Sequence, residues 1–163
     1  MTETICISGG FDPVHVGHLR MICEAAQFGK LIVIVNSDEW LMRKKGYIFM
    51  PFDERCEILK GFRGVAETVH VDDSDGTVCE ALRRLKPTYF ANGGDRKSTN
   101  TPEMELCEQL GIKLLWYVGG GKVQSSSTLV DSAQMLTPGL EGEDESLRPS
   151  RIQILTAHDL PKK

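Results

Sequence analysis

With 163 residues, 40% of them hydrophobic and 26% charged, the chain has enough apolar material for one ordinary domain and too much for a disordered one. A formal net charge of −4 argues against a nucleic-acid binder, which carries a basic face. Apolar runs such as Leu31 to Val35 stop far short of the roughly 20 residues of a membrane-spanning helix. No basic start followed by an apolar stretch marks a secretory leader. The five cysteines, Cys6, Cys23, Cys56, Cys79 and Cys107, form no C-x-x-C pair. They read as small buried hydrophobes in a reducing cytoplasm, not as a zinc or redox site.

In chain order, Thr4 to Ser8 reads as a first buried strand. His18 to Phe28 reads as a helix with Leu19, Ile22, Cys23 and Ala26 on one face and Gly29 just past its end. Leu31 to Val35 is a continuous apolar run, the pattern of a parallel strand buried on both faces. Phe52 to Gly61 reads as a helix opened near Pro51, and Glu67 to Val71 as a third strand. Gly76 to Lys86 reads as a helix capped by Asp75 and stopped by Pro87. A short strand follows at Tyr89 to Ala91, then a helix with Thr101 as cap, Pro102 in its first turn and Gly111 at its end. Lys113 to Val118 reads as a fifth strand, with Trp116 and Tyr117 in its core. The glycines 119 to 121 lead to a last helix from Ser125 that ends before Pro138. This alternation predicts an α/β fold: a Rossmann-like, doubly wound, parallel five-stranded sheet with helices on both faces. Residues 1–137 form the expected domain. Residues 138–163 read as an acidic linker and tail in which Arg151 to Leu155 alternates like a late strand or docking arm.

The segment Gly9 to His18, GGFDPVHVGH, joins the first strand to the first helix. It therefore falls at the carboxyl end of the sheet, where open α/β folds bind ligands. Gly9 and Gly10 would let the backbone approach a ligand closely. His15 and His18 flank Gly17 beside a helix start, whose unpaired N–H groups and dipole attract anions. Histidine donors and a helix start at one point suggest a polyphosphate cradle. Two structural histidines at a turn are the plainer alternative. The dinucleotide fingerprint G-x-G-x-x-G and the Walker A loop are both absent.

Gly9-Gly10-Phe11-Asp12 followed by His15-x-Gly17-His18 resembles the signature of the nucleotidylyltransferase superfamily, and within it the cytidylyltransferase-like family. That family includes glycerol-3-phosphate cytidylyltransferases and the heptose-phosphate adenylyltransferase domain. The resemblance runs from about Ile5 to Ala133. It implies that Asp38, in the segment after the second strand, lines the site; a helix cap at Ser37 or Asp38 is the alternative. It implies that Lys44 meets phosphate, with Lys45 the weaker candidate in the run Arg43-Lys44-Lys45. Arg55 is implied either to bind the acceptor phosphate or to pack the loop over the site. Asn92-Gly93-Gly94-Asp95 resembles the family's glycine-rich turn, with Asp95 toward the base or ribose and Arg96 toward an acceptor phosphate. Ser125, Ser126 and Ser127, with Thr128 in a register shifted by one, resemble the motif that receives the β- and γ-phosphates at a helix start. Many family members have Arg or Lys after the apolar position of that motif, Leu129; this chain has Val130. Lys122 or Arg96 is the candidate substitute. His70 and His158 read as incidental.

The expected reaction is nucleotidyl transfer. A phosphate monoester attacks the α-phosphorus of a nucleoside triphosphate and pyrophosphate leaves. The nucleophile is already ionised at pH 7, so positioning and charge neutralisation do the work, with no general base. His15, His18 and Lys44 are the expected catalytic residues. Gly9, Gly10, Phe11, Asp12, Gly17, Asn92, Gly94, Asp95 and the hydroxyl residues 125–128 are expected at the nucleotide. Asp38, Arg55 and Arg96 are expected at the acceptor. Mg²⁺ is expected to ride with the triphosphate. By resemblance, CTP is the expected nucleotide, ATP its near rival, and a homodimer the expected assembly. A regulatory module that binds nucleotide without catalysis is the alternative. A redox enzyme would need the glycine fingerprint that this chain lacks.

Overall fold

A computed structural model of the protein describes residues 2–93 and 101–135. Five parallel strands form one sheet: β1 (Thr4–Gly9), β2 (Lys30–Val35), β3 (Val65–Val69), β4 (Tyr89–Ala91) and β5 (Lys113–Leu115). Their spatial order is β3-β2-β1-β4-β5. The connections carry α1 (Val16–Ala25), α2 (Asp38–Lys45), α3 (Phe52–Lys60), α4 (Cys79–Leu85), α5 (Pro102–Leu110) and α6 (Ser126–Met135). The order reverses between β1 and β4, so the carboxyl ends of those strands open a crevice at the switch point. The doubly wound fold expected from the alternation is the fold observed.

The two-residue period of the strands divides the core between the sheet faces. Ile5 and Ile7 of β1, with Leu31, Val33 and Val35 of β2, pack on one face beside Ile22 of α1 and Leu59 of α3. Cys6, Ile32 and Ile34 pack on the other with Leu82 of α4 and Leu106 of α5. Four of the five cysteines are buried and all are free, while Cys23 is exposed on α1. Burial pushes the Cys6 thiol up to about 12 and the Cys107 thiol up to about 11, which keeps both protonated and inert. No helix among the described residues is long and apolar enough to cross a membrane.

Several element boundaries differ from expectation, each for a local reason. The first helix starts at Val16 because His15 caps it, and it ends at Ala25. Gly29 is not its terminator; a Cβ there would run into the Glu3 carbonyl, which accepts the Lys30 N–H at 2.9 Å. Asp75 caps a turn by accepting from the Thr77 N–H at 2.8 Å, and α4 begins only at Cys79. The third strand is Val65–Val69, earlier than expected. The fifth strand stops at Leu115. Tyr117 adopts φ 61° and is 63% exposed, and Trp116 is 36% exposed, so neither is strand core. The left-handed turn at Tyr117 takes the chain out of the sheet, and Val118 returns to bury itself, donating its N–H to the Asn92 carbonyl at 3.1 Å. The acidic tail with Arg151 to Leu155 lies outside the described residues.

Candidate active site

The loop after β1 is built inward from its own residues. Phe11 takes φ 52° and buries its ring. Asp12 is fully buried, and its carboxylate accepts the N–H groups of Phe49 at 2.8 Å and Met50 at 2.6 Å. The Asp12–Pro13 peptide is cis. Ser126, from the start of α6, donates its hydroxyl to the Pro13 carbonyl at 2.7 Å and so ties the last helix to the first loop.

His15 and His18 form a reciprocal cap on α1. His15 Nδ1 accepts the Gly17 N–H at 3.1 Å, and His18 Nδ1 accepts the His15 N–H at 3.2 Å. The rings stack with centroids 3.8 Å apart, and Phe11 lies 4.8 Å from His18. An Nδ1 that accepts a backbone N–H places the imidazole proton on Nε2. Each histidine therefore keeps an Nε2–H donor for a ligand. Burial, then the facing His15 and the Lys45 charge, hold His18 down to about 3. Burial, then Lys45 and Lys122, lower His15 as well. Both are neutral donors at pH 7.

The glycines serve packing more directly than expected. A Cβ on Gly17 would stand 2.9 Å from His15 Cε1, and one on Gly10 would stand 2.9 Å from Leu41 Cδ2. One on Gly9 would meet the Phe11 ring at 3.3 Å. Gly17 lets the histidines stack. Gly9 and Gly10 let Phe11 and α2 close on the loop, and neither lines the cleft.

A cleft of about 410 Å³ opens over the ends of β1 and β4, within the roughly 300–1,000 Å³ of small-molecule sites. His15, Gly17 and His18 form one wall, and Ala91, Asn92 and Gly93 lie at its β4 side. Lys44 and Lys45 enter from α2, Lys122 from the glycine loop, and Ser125, Ser126 and Ser127 from the start of α6. No described lining residue is Asp or Glu, so the wall chemistry suits a polyanion.

Ser125 caps α6, accepting the Thr128 N–H at 3.1 Å and sharing a 2.7 Å hydrogen bond with its hydroxyl. Ser126 is committed to Pro13, and Ser127 is exposed. Val130 is buried. Asn92 donates its N–H to the Leu115 carbonyl at 2.8 Å, which fixes the floor of the turn. Gly94, Asp95 and Arg96 lie outside the described residues.

Lys44 places Nζ 4.8 Å over the Trp40 ring, one turn back on α2. Lys45 reaches the Asp12 carbonyl at 3.5 Å, and its charge bears on both histidines. Burial lowers Lys45, the neighbouring Asp12 opposes that, and Lys44 and Arg55 add to the lowering. Counting along the sequence favours Lys44; both Lys44 and Lys45, the last two residues of a helix ended by Gly46 at φ 81°, line the cleft.

Arg55 and Asp38 pair with each other at 2.7 Å, and neither lines the cleft. Arg55 is fully buried. It donates Nε to the Met50 carbonyl at 3.0 Å, Nη1 to the Gly10 and Asn36 carbonyls at 2.8 Å each, and Nη2 to Asp38 at 2.7 Å. Four hydrogen bonds commit the guanidinium to holding three loops together, which is the loop-packing alternative of its two implied roles. The helix cap beside it is Ser37, which accepts the Trp40 N–H at 3.0 Å. Sequence reasoning missed Asp73. It is buried and accepts from Asn36 Nδ2 at 3.0 Å, the Ser37 N–H at 2.9 Å and the Ser37 hydroxyl at 2.6 Å. Its carbonyl accepts Arg43 Nη2 at 2.7 Å. Asp73 thereby braces both ends of α2. Nothing in the acidic run Asp72-Asp73-Ser74-Asp75 separates it from its neighbours.

Residues 6–128 match the family model described as cytidylyltransferase-like. The chain belongs to the cytidylyltransferase-like family. Like other cytidylyltransferase-like proteins it is a nucleotidyltransferase, and the resemblance drawn from Gly9 to His18 is met. It is 31% identical over 112 residues to an FAD synthase of Pyrococcus abyssi (strain GE5 / Orsay), covering 68% of this chain and 75% of that one. It is 34% identical over 136 residues to the bifunctional protein HldE of Streptomyces coelicolor (strain ATCC BAA-471 / A3(2) / M145), covering 80% of this chain but 28% of HldE. Among solved structures, the lipopolysaccharide core biosynthesis protein of Thermoplasma volcanium GSS1 shares the fold. Its TM-score is 0.60 at 22% identity, over 71% of this chain and 96% of that one.

Proposed function

We propose that this cytidylyltransferase-like protein transfers an adenylyl group from ATP to a small phosphorylated acceptor and releases pyrophosphate. The observation that carries the reading is the stacked pair His15–His18, each with Nδ1 committed to a backbone N–H, on the wall of a cleft whose charged side chains are lysines. ATP replaces the CTP expected from resemblance because of the relatives. FAD is a flavin phosphate joined to an adenylyl unit, so similarity to FAD synthases supports an adenine nucleotide.

The acceptor's phosphate oxygen attacks the α-phosphorus, and the bond to the oxygen bridging to the β-phosphorus breaks. That oxygen leaves with the electron pair as pyrophosphate. A phosphate monoester has already lost its proton at pH 7, so no side chain must remove one. The Nε2–H groups of His15 and His18 donate to the oxygens where negative charge grows. Lys45 and Lys44 add positive charge from the end of α2. Donors fixed beforehand by capping and stacking need no reorganisation during reaction.

Among the described residues no group of three or more His, Cys, Asp or Glu would hold a metal. The lysine-lined wall would hold the triphosphate, and Mg²⁺ carried on the triphosphate oxygens would supply further charge neutralisation. The test is pyrophosphate release with Mg²⁺, crossing ATP, CTP, GTP and UTP against phosphorylated acceptors that include flavin and sugar phosphates. Release that requires ATP and one acceptor is the expected result. Release with CTP alone overturns the choice of donor. Nucleotide binding without release from any pair overturns transfer and favours the binding module.

A further inference from the structure

The loop between β5 and α6 carries Gly119, Gly120 and Gly121 in succession. Glycines have the most conformational freedom to lose when a chain is ordered. Yet these three belong to the wall of the cleft, which continues through Gln124 to the start of α6. A wall of this kind binds well only if it is fixed before the ligand arrives, because ordering it on binding lowers affinity.

The loop is seated on α1. Gly119 takes φ 88°, and a Cβ there would stand 2.7 Å from the Met21 nitrogen and 2.8 Å from the Met21 Cα. Three residues beyond Met21, and so its neighbour on the helix surface, Glu24 accepts the Gly119 N–H at Oε2 over 2.6 Å. On either side, Val118 donates its N–H to the Asn92 carbonyl and Gly120 donates its own to the Tyr117 carbonyl, each at 3.1 Å. Glu24 is exposed and does not line the cleft. It stands in the last turn of α1, which holds no basic residue. A carboxylate there meets the negative end of the helix dipole, an unfavourable place for it. Helix stability therefore does not account for Glu24, whereas the Gly119 N–H does.

We infer that Glu24 is a positioning residue for the nucleotide: through the Gly119 N–H it presets the glycine wall of the cleft in register with His15 and His18. One rigid helix carries both parts of that register. The histidines sit at its start, and Glu24 lies roughly 9 Å of helix rise beyond His18. A shift of the loop along α1 would break the Gly119 hydrogen bond. The role rests on the nucleotidyl-transfer reading, and the experiment separates the two.

Three quantities are measured on the full chain, on Glu24→Ala and on Glu24→Gln: amide hydrogen exchange at Gly119 by NMR, ATP binding by calorimetry, and pyrophosphate release. Glu24 is exposed and alanine is a good helix former, so the melting temperature of Glu24→Ala should move by less than about 3 °C. In that variant Gly119 is expected to exchange at least about tenfold faster. Its Kd and KM for ATP should rise roughly threefold to tenfold, the worth of one lost hydrogen bond. Its kcat should stay within about twofold of wild type, as for a loss of binding that ground state and transition state share. Glu24→Gln keeps an acceptor oxygen and should restore both the protection and the affinity. Unchanged exchange at Gly119 in Glu24→Ala overturns the role, and so does faster exchange with unchanged ATP affinity. A fall in kcat as large as the fall in affinity makes the contact merely structural and overturns it too. Faster exchange with weaker ATP binding, where the wild-type chain releases no pyrophosphate with any acceptor, upholds Glu24 and overturns transfer.

Discussion

An imidazole that accepts a backbone N–H at Nδ1 has its tautomer chosen for it. In His15 and His18 this happens twice, in one turn of chain, through the spacing H-x-G-H. Truncating a donor to a developing charge costs roughly 10²–10³ in kcat. His18→Asn is expected to lower kcat for pyrophosphate release by that order, with KM for the nucleotide nearly unchanged and the circular dichroism spectrum retained. A kcat within about threefold of wild type would remove His18 from the reaction. The same burial shapes the pH dependence of stability. Both histidines titrate below 6.5 when folded, His18 near 3. Above pH 6.5 folded and unfolded forms are neutral, and neither histidine changes stability with pH. As pH falls from about 6.5 toward 3, the unfolded chain takes up protons that the folded chain refuses, so stability is lost. Thermal melts across that window should fall for wild type and fall less steeply for His18→Asn. Equal slopes would show that His18 keeps its ordinary affinity for protons.

At the scale of elements, the site depends on where α2 ends, and buried charges hold that helix. Asp73 fastens its start through Asn36 and Ser37. Asp12 fastens the strand of chain beyond it through Phe49 and Met50. Arg55 links the loop after β1, the end of β2 and the approach to α3. Removing one partner of such a buried, paired charge costs about 3–5 kcal/mol. Arg55→Met is therefore expected to shift the urea midpoint down by an amount that corresponds to that loss. If Arg55 bound the acceptor instead, the variant would keep its midpoint and only the acceptor KM would rise. Urea titration read beside acceptor kinetics decides between them.

For the whole molecule, the parallel sheet brings the starts of α1 and α6 and the end of α2 to one edge, because every strand points the same way and every crossover returns over a face. Three lysines thus share a cleft although Lys44 and Lys122 are far apart in the chain. With no carboxylate among its described lining residues, the metal's affinity should reside in the nucleotide. Chelation with EDTA is expected to abolish pyrophosphate release and to leave the melting temperature of the free protein unchanged. A melting temperature lowered by the chelator would point to a structural metal held by the protein.

The sequence by itself determined the local features. Contiguous apolar runs specify buried parallel strands such as Leu31 to Val35. The H-x-G-H spacing closes its own cap within four residues, and Thr101 with Pro102 opens α5 as expected. These depend on neighbours along the chain, and periodicity and capping report on such neighbours directly. Tertiary structure decided the rest. Arg55 is held as a brace because its oxygen partners come from residues 10, 36, 38 and 50. Asp73 mattered over Asp72 because only one of them faces α2. Lys45 joined Lys44 in the cleft because the last turn of α2, ended at Gly46, lies beside the first loop. Trp116 and Tyr117 left the sheet through one left-handed residue, which an apolar run does not announce. Hydrogen bonds between distant segments leave no period in the sequence, and they are what assembles this site.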